Sequence, residues 1–313
     1  MGILRKDYIL DRWIFYAGGR KKRPMEFKFD GNQESSPKTC LFCPDNERLT
    51  PKEIGRVEEK GTWKIRWFPN KFPAVQLNGS SKLRKKGDLL LEGSTYGAHE
   101  VIVETREHEK GLADLKVGHI KEVLEVCFLR VNALSKNKSI KYVTVFKNDG
   151  PSAGTSLVHS HIQVASLPIL PEEIAAKIKA AKKFKICPYC SIIRLESGGK
   201  RKIFETKNAI AFAPFASRFN YEAWIFPKRH IAGIGLKDEE LNDMASILKK
   251  ILSKLKSISA SYNFFFQYSK KEDRLHFHIE ITPRIAKWAG FEFSTGAIIN
   301  SVLPEDAAKF YRK

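Results

Sequence analysis

With 313 residues, of which 42% are hydrophobic, the chain is long enough to bury a substantial core and to form two domains of ordinary size. Its formal net charge of +20 favours anionic partners, but these include nucleotides and sugar phosphates as well as nucleic acid. No stretch approaches the roughly 20 consecutive apolar residues of a membrane-spanning helix, and residues 1–16 lack the apolar run of a signal peptide. We therefore expect a soluble, cytoplasmic protein without a membrane association.

The first elements combine strand-like runs with a basic turn. Residues 7–16 alternate apolar and aromatic side chains, which predicts a strand, and a turn that contains Arg20 and Arg23 follows. This turn either holds phosphate or is an exposed charged loop. A second strand-like run, residues 63–68, precedes Asn70, and the aromatic residues around it either form a wall of a base pocket or belong to the core.

A strand, a helix and another strand come next. The run 100–104 has a strand pattern and leads to His108. Asp114 is a candidate N-cap for the following helix, in which apolar residues recur every three or four positions over 117–134. Residues 142–146 are again typical of a strand.

The central stretch carries the residues best suited to chemistry on a phosphate. A turn with Gly154 and Ser156 offers backbone N–H groups and a hydroxyl to an anion. His159, His161 and Gln163 follow at alternate positions, so a strand would place them on one face. A neutral imidazole there can attack phosphorus. The alternative without a catalytic role is a pair of hydrogen-bonded structural histidines.

The second half repeats the order of these features. The run 221–227 predicts a strand that leads to His230, Asp238 precedes a helical pattern, and residues 275–281 predict a final strand with two histidines. Ordered recurrence of this kind indicates an internal duplication.

Each half also contains a Cys-x-x-Cys pair, which in a reducing compartment is more often a metal site than a disulfide. Two thiolates and two imidazoles complete a closed tetrahedral shell, which is typical of structural zinc. We expect the first zinc ion to keep the strand of His161 rigid. The predicted ligands are Cys40, Cys43, His108 and His159 for the first ion and Cys187, Cys190, His230 and His276 for the second.

The two halves differ just before their paired histidines. Residues 150–156 are rich in glycine and serine, whereas residues 267–274 contain no glycine. We therefore expect the second half to have kept the scaffold without the phosphate cradle. His278 and Glu280 would then shape the pocket or support the partner site.

In combination, these motifs resemble the galactose-1-phosphate uridylyltransferase family, the transferase branch of the histidine-triad superfamily. The resemblance covers nearly the whole chain: the Arg-x-x-Arg-Pro turn, Cys-x-x-Cys, Asn-Lys-Phe-Pro, Asn-x-Gly-x-x-x-Gly-x-Ser-x-x-His-x-His-x-Gln, and the terminal Gly-Phe-Glu segment. It implies an α+β fold of two tandem histidine-triad-like halves, each an antiparallel sheet with a packed helix. The N-terminal half would span 1–170 with the catalytic histidine, and the C-terminal half 171–313 with a structural metal site and sugar contacts.

The resemblance also implies a function and its residues. Family members transfer a nucleotidyl group in two half-reactions, with the second histidine of the pair as covalent nucleophile, and they are homodimers whose active sites use both subunits. Glu292 would bind sugar hydroxyls. Because each active site uses both subunits, it would do so in the active site of the neighbouring subunit. The residues assigned to catalysis are His161, Gln163 and Ser160, and those assigned to substrate binding are Arg20, Arg23, Asn70, Asn148, Gly154, Thr155, Ser156 and Glu292.

The chemistry agrees with such a transfer. A sugar phosphate has a second pKa of only about 6, so it can leave without a proton donor. Gln163 can bind an oxygen but cannot act as an acid, which favours exchange with another phosphate over the hydrolysis carried out elsewhere in the superfamily. The predicted substrates are a nucleotide sugar and a hexose 1-phosphate, most simply UDP-glucose and galactose 1-phosphate.

Two departures from the family pattern keep alternatives open. Ser160 stands between the histidines where many members have proline, and Lys71 follows Asn70 where those enzymes tend to have an acidic residue. The His-Ser-His form and the second zinc set resemble instead the branch that includes plant ADP-glucose phosphorylases, for which inorganic phosphate would be the acceptor. A zinc-containing nucleic-acid-binding protein is the alternative from another class, although the basic clusters are scattered along the chain.

Overall fold

The computed structural model describes residues 3–10, 13–16, 36–269 and 274–313. Contacts within the chain define two compact units. Unit 1 comprises residues 1–34, 148–156 and 173–313, and unit 2 comprises residues 35–147 and 157–172. The division of the chain at residue 170 into two halves stays a prediction.

Antiparallel strands and α-helices account for most of the described residues. The strands are β1 (Ile3–Lys6), β2 (Trp13–Tyr16), β3 (Gly55–Glu59), β4 (Thr62–Pro69), β5 (Arg84–Lys86), β6 (Leu90–Glu92), β7 (His99–Val103), β8 (Tyr142–Asp149), β9 (His161–Leu167), β10 (Lys202–Glu205), β11 (Ala209–Phe212), β12 (Ala223–Pro227), β13 (Tyr262–Gln267), β14 (His278–Pro283) and β15 (Ile298–Asn300). The helices are α1 (Val117–Ser135), α2 (Glu172–Ala181), α3 (Pro188–Ser197), α4 (Asp238–Ser257), α5 (Gly290–Thr295) and α6 (Pro304–Arg312).

In unit 2, five strands pair in antiparallel fashion in the order β8-β9-β7-β4-β3, and β5 and β6 form a separate two-stranded sheet. Strand β9 is therefore paired on both sides, with β7 and with β8. Helix α1 packs on this sheet through the apolar positions that the sequence pattern predicted, among them Ile120, Val123 and Leu124. Cys127 is fully buried in the same face, as expected for a small apolar residue.

The start of α1 differs from the sequence prediction. Asp114 does not cap this helix, because it belongs to a preceding 3-10 turn, Leu112–Asp114, in which its carboxylate accepts the N–H of Gly111 at 3.1 Å. Helix α1 begins one turn later, at Val117.

In unit 1, five strands form an antiparallel sheet in the order β10-β11-β12-β14-β13, and α4 packs on β11 and β12. A smaller sheet joins β1, β2 and β15. The predicted strand over residues 7–16 is wrong for its first part. The Asp7 carboxylate accepts the N–H groups of Ile9 and Leu10, both at 2.8 Å, and so closes a turn instead.

The two sets of five strands share one connectivity, in agreement with the predicted duplication. β7, α1, β8 and β9 follow one another in unit 2, and β12, α4, β13 and β14 do so in unit 1. In each case the last strand pairs between the other two. This confirms the predicted α+β class with an antiparallel sheet and a packed helix in each part. Within the described ranges, no helix has both the length and the apolar character needed to cross a membrane.

Candidate active site and metal centres

The first Cys/His cluster lies in unit 2. The ligand atoms of Cys40, Cys43, His108 and His159 all lie within 4.8 Å of one another. Cys43 Sγ is 3.2 Å from His108 Nδ1 and 3.5 Å from His159 Nδ1, and Cys40 Sγ is 3.6 Å from the latter. With zinc bonds of about 2.3 Å to sulfur and about 2.1 Å to nitrogen, the S···N edge of a tetrahedron is about 3.6 Å long. The spacing therefore fits a closed zinc shell.

The protonation of His159 also suits a metal ligand. Its Nε2 lies 2.8 Å from the carbonyl oxygen of Thr105, which can only accept, so Nε2 carries the proton and Nδ1 presents its lone pair to the thiols. Burial lowers the pKa of His159 to about 4, which keeps the ring neutral.

The second cluster lies in unit 1, where the ligand atoms of Cys187, Cys190, His230 and His276 meet the same 4.8 Å limit. Cys187 immediately precedes α3 and Cys190 follows one turn later, so the helix start brings both thiols together. Cys190 Sγ lies 3.3 Å from His230 Nδ1 and 3.6 Å from His276 Nδ1, again close to a tetrahedral edge. Among the described residues, however, the buried Nε2 of His276 has no hydrogen-bond partner.

His161, the candidate nucleophile, is the first residue of β9 and is 8% exposed. Its Nδ1 lies 2.9 Å from the carbonyl oxygen of His159. A carbonyl accepts only, so Nδ1 carries the proton and Nε2 carries the lone pair in the neutral ring. The ring of Phe42, from the turn between Cys40 and Cys43, contacts the His161 ring edge-on with centroids 5.2 Å apart. The metal-site turn therefore also holds the candidate nucleophile.

A buried ion pair supports the main chain between the two histidines. Lys147 Nζ donates to Glu104 at 2.9 Å, to Ser160 Oγ at 2.7 Å and to the carbonyl oxygen of His161 at 3.3 Å. Ser160 Oγ donates to Glu104 at 2.5 Å, and the side chains of Glu104 and Lys147 are fully buried. The described contacts of the Ser160 hydroxyl therefore lie in this network. Its assignment as a catalytic residue stays a prediction.

Gln163 lies on the same side of β9 as His161, two positions further along. Its Oε1 is 2.9 Å from Nε2 of His99, a residue that the sequence reasoning missed. Asn70 lies beside this pair: its backbone N–H donates to the His99 carbonyl oxygen at 2.7 Å, and its Oδ1 accepts the N–H of Phe72 at 2.9 Å. Burial lowers the pKa of His99, so this ring is neutral as well.

The predicted phosphate cradle lies in unit 1, in the segment that ends at Ser156. A 3-10 turn, Pro151–Ala153, connects Gly150 and Gly154, both in the left-handed region with φ of 83° and 82°. A Cβ on Gly150 would lie 2.3 Å from the side-chain oxygen of Ser261, so only glycine fits there.

A side-chain amide anchors this segment to β13. Asn263 Nδ2 donates to Asn148 Oδ1 and to the carbonyl oxygen of Ala153, both at 2.8 Å. Asn148 therefore keeps its own amide N–H groups as donors, and its contact with a phosphate stays a prediction. Thr155 and Ser156 follow Gly154 directly, and their contacts with a substrate stay predictions.

The paired histidines of unit 1 have a different environment. His278 Nδ1 lies 2.8 Å from the His276 carbonyl oxygen, and its Nε2 lies 3.1 Å from Glu280. Glu280 is fully buried and also contacts Lys177 and Arg218. Burial by itself would raise the pKa of Glu280, but these two cations hold it well below its ordinary value. The adjoining cavity measures about 10 Å³, the room of one water molecule.

Comparisons with known proteins identify the family of the chain. The sequence model for "Galactose-1-phosphate uridyl transferase, N-terminal domain" matches residues 4–171. The chain is 33% identical to ADP-glucose phosphorylase of Arabidopsis thaliana, over 99% of this chain and 92% of the relative. It is 31% identical to galactose-1-phosphate uridylyltransferase of Thermotoga maritima, over 99% of this chain and 98% of that relative. The chain belongs to the galactose-1-phosphate uridylyltransferase family.

Solved structures of this family have the same fold. The crystal structure of an ADP-glucose phosphorylase from Arabidopsis thaliana with bound ADP-glucose aligns with a TM-score of 0.86 at 30% identity. The alignment covers 100% of this chain and 99% of the phosphorylase chain. A uridylyltransferase structure aligns with a TM-score of 0.76 at 27% identity, and the alignment covers 100% of this chain and 97% of the uridylyltransferase chain.

As a member of the galactose-1-phosphate uridylyltransferase family, the protein is a nucleotidyltransferase. The two named relatives support nucleotidyl transfer on nucleotide sugars. Members of the family are metalloenzymes, and both Cys/His clusters could bind metal ions. Family membership thus favours the enzyme over the nucleic-acid-binding alternative.

The predicted substrate contacts of Arg20 and Arg23, and that of Glu292, stay predictions. Arg20 and Arg23 lie outside the described residues. Glu292 lies in the first turn of α5, where its carboxylate accepts the backbone N–H of Ala289 at 2.9 Å and that of Ile299 at 3.3 Å. The first contact caps the start of its own helix and the second connects the helix to β15, and the sugar contact stays a prediction.

Proposed function

We propose that the protein transfers a nucleoside monophosphate from a nucleotide sugar to a phosphate-bearing acceptor through a covalent intermediate on Nε2 of His161. The observation that carries this proposal is the contact between His161 Nδ1 and the His159 carbonyl oxygen at 2.9 Å. It assigns the proton to Nδ1 and therefore the nucleophilic lone pair to Nε2.

In the first half-reaction, Nε2 attacks the α-phosphorus, the P–O bond to the sugar phosphate breaks, and the sugar phosphate leaves as an anion. The ring gains positive charge as the P–N bond forms. The His159 carbonyl oxygen, which accepts the hydrogen bond from Nδ1–H, stabilises that charge. In the second half-reaction, an acceptor phosphate oxygen attacks the same phosphorus, the P–N bond breaks and the neutral imidazole returns.

The donors that offset charge on the nonbridging oxygens are proposed from the sequence and the local geometry. Gln163, Asn148 and Ser156 would donate to the phosphates, together with Arg20 and Arg23. Gly154, Thr155 and Asn70 would complete the substrate-binding set, and Glu292 would bind sugar hydroxyls. The leaving group requires no acid, so the amide of Gln163 is sufficient at a position where a hydrolase would need a proton donor.

We propose zinc for both Cys/His clusters. Two thiolates and two neutral imidazoles suit zinc, and a metal bound there supplies rigid positioning and no open coordination position. In unit 2 the turn from Cys40 to Cys43 carries Phe42 against the His161 ring, so the ligands and the nucleophile form one packed cluster.

Two substrate pairs are compatible with this chemistry. The first is UDP-glucose with a hexose 1-phosphate such as galactose 1-phosphate. The second, a nucleotide sugar phosphorylase that acts on ADP-glucose with inorganic phosphate, is favoured by the 33% identity to the plant enzyme and by Ser160 between the histidines. We propose a cytoplasmic homodimer in either case.

The test uses UDP-glucose and ADP-glucose, each labelled at the α-phosphate. We expect the purified protein to retain label from one of them without an acceptor. Adding galactose 1-phosphate or inorganic phosphate in separate reactions should then release the label as a new nucleotide sugar or as a nucleoside diphosphate. Retention of no label from either donor, with turnover present, would contradict the covalent route. Release by phosphate alone would select the phosphorylase.

A further inference from the structure

His99 lies where it can act on the proposed phosphate-binding amide. In the pairing of β7 with β9, His99 is opposite Ala165 and Val101 is opposite Gln163. Residues opposite each other in an antiparallel pair point to the same face, so His99 and Gln163 are diagonal neighbours on the face of His161. The small side chain of Ala165 leaves room for the imidazole to reach across.

The hydrogen bonds of His99 fix its tautomer. The backbone N–H of Ala74 points at His99 Nδ1, with N and Nδ1 3.1 Å apart. A backbone N–H can only donate, so Nδ1 is the acceptor, and the neutral ring carries its proton on Nε2. That Nε2–H lies 2.9 Å from the oxygen of the Gln163 amide.

A donor at this place decides which way the Gln163 amide faces. Its oxygen and nitrogen have nearly the same shape, so without a fixed neighbour either could point into the site. An oxygen that pointed there would repel a phosphate, whereas the –NH2 group would donate to it. We propose that His99 is a positioning residue, which holds the Gln163 oxygen so that the amide –NH2 faces the phosphate of the nucleotide. This inference rests on the proposed function of the His161 strand.

Asn70 stabilises the orientation of His99 through the neighbouring turn. Its Oδ1 accepts the N–H of Phe72 at 2.9 Å and its backbone N–H donates to the His99 carbonyl oxygen at 2.7 Å, which together shape the turn that delivers the Ala74 N–H. Asn70 Nδ2 lies 3.3 Å from His99 Nε2, but both are donors. The Gln163 oxygen is therefore the group that accepts the hydrogen bond from Nε2–H of His99.

The first test compares two variants of His99. In His99→Gln the side-chain amide nitrogen falls near the position of Nε2, and in His99→Asn it falls near Nδ1. We expect His99→Asn to lower kcat/KM for the first half-reaction about 10- to 100-fold, and His99→Gln to remain within about fivefold of the wild type. Equal losses in the two variants would overturn the proposal. Thermal unfolding of each variant reports any general loss of fold.

The second test asks whether His99 acts through Gln163. In a Gln163→Ala background, we expect His99→Asn to change kcat/KM by less than about twofold, because the amide that it orients is gone. A purely structural role would instead give losses that multiply. Multiplicative losses would therefore contradict the positioning role.

Two readouts separate this inference from the transfer reaction. Long-range ¹H–¹⁵N correlations of the imidazole nitrogens should show His99 as the Nε2–H tautomer, with the signal assigned by its loss in His99→Gln. An Nδ1–H tautomer would overturn the proposal whether or not the protein forms a His161 adduct. Calorimetry with ADP and UDP should show weaker binding to His99→Asn by a similar 10- to 100-fold factor, and unchanged affinity would overturn it also. A wild type that binds nucleotide and has the Nε2–H tautomer, yet forms no adduct, would contradict the proposed function alone.

Discussion

The histidine pairs of the two units share a scaffold and differ in what surrounds it. In both, the first histidine lies beside a Cys-x-x-Cys pair and its carbonyl oxygen meets Nδ1 of the second histidine, at 2.9 Å in unit 2 and 2.8 Å in unit 1. Two positions further along, unit 2 has Gln163 and unit 1 has Glu280.

The residue at this position distinguishes the candidate active site of unit 2 from the buried ion-pair core of unit 1. Gln163 is neutral and contacts a neutral His99, so its surroundings can accept an anion. Glu280 is charged, buried and bound by Lys177 and Arg218, beside a cavity of about 10 Å³, far too small for a phosphate. The duplicated strands therefore supply rigidity, while a few neighbouring side chains decide whether chemistry follows.

The largest expected effect is the loss of activity on substitution of the nucleophile. We expect His161→Asn to abolish covalent labelling and to lower kcat by at least about 10³-fold, with the zinc content unchanged. The matched change in unit 1, His278→Asn, should leave labelling intact and lower only the stability. Equal losses of labelling in the two variants, at equal folded fractions, would remove the distinction between the two pairs.

The ion pair beneath His161 gives the next effect. Lys147→Met leaves Glu104 charged and fully buried without its cation, which should cost about 3–5 kcal/mol in the free energy of unfolding. Adding Glu104→Gln neutralises the partner and should recover most of the loss. Denaturant titration measures both, and a single variant as stable as the wild type would show that the pair does not support the strand.

The corresponding charge in unit 1 should make stability depend on pH. The folded-state pKa of Glu280 lies well below its ordinary value, so its ion pairs stabilise the protein above about pH 4.5 and are lost as the pH falls towards the folded pKa. Glu280→Gln should cost about 3 kcal/mol near pH 7 and progressively less below pH 4.5. Unfolding curves across that range test this. A difference that stays constant with pH would contradict the pairing.

The smallest effect concerns the metals. Thr105 fixes the tautomer of His159, whereas His276 Nε2 has no such partner among the described residues. Loss of the hydrogen bond to the other ring nitrogen of a metal-ligating histidine costs about 10- to 100-fold in metal affinity, so the unit 1 ion should be lost first to a chelator. We expect two phases of zinc release, of which Cys190→Ser removes the faster one and Cys43→Ser the slower one. A single phase, or the opposite assignment, would contradict the difference.

Local sequence patterns predicted the parts of the site that depend on spacing. Cys40 with Cys43 and Cys187 with Cys190 were recognisable because two residues of separation bring both thiols to one turn. The alternation of His161 and Gln163 followed from the two-residue period of a strand. The order of strands and helices repeated in the sequence and then in both sheets.

Contacts between distant residues were not predictable in this way. His99 and Gln163 are 64 positions apart, and their contact depends on the register of β7 against β9. Glu280 lies 103 positions from Lys177 and 62 from Arg218, so its burial as an ion pair could not be read from its neighbours. Asp114 was misassigned because an N-cap and a short 3-10 turn favour the same residue types.

The most direct test of the central claim is the position of the covalent bond. After incubation with the labelled nucleotide sugar that the protein accepts, ³¹P NMR of the adduct together with mass spectrometry of its peptides identifies the modified atom and residue. We expect a phosphoramidate on Nε2 of His161 and an unmodified His278. A nucleotidyl group on any other residue, or turnover of the nucleotide sugar without an adduct, would contradict it.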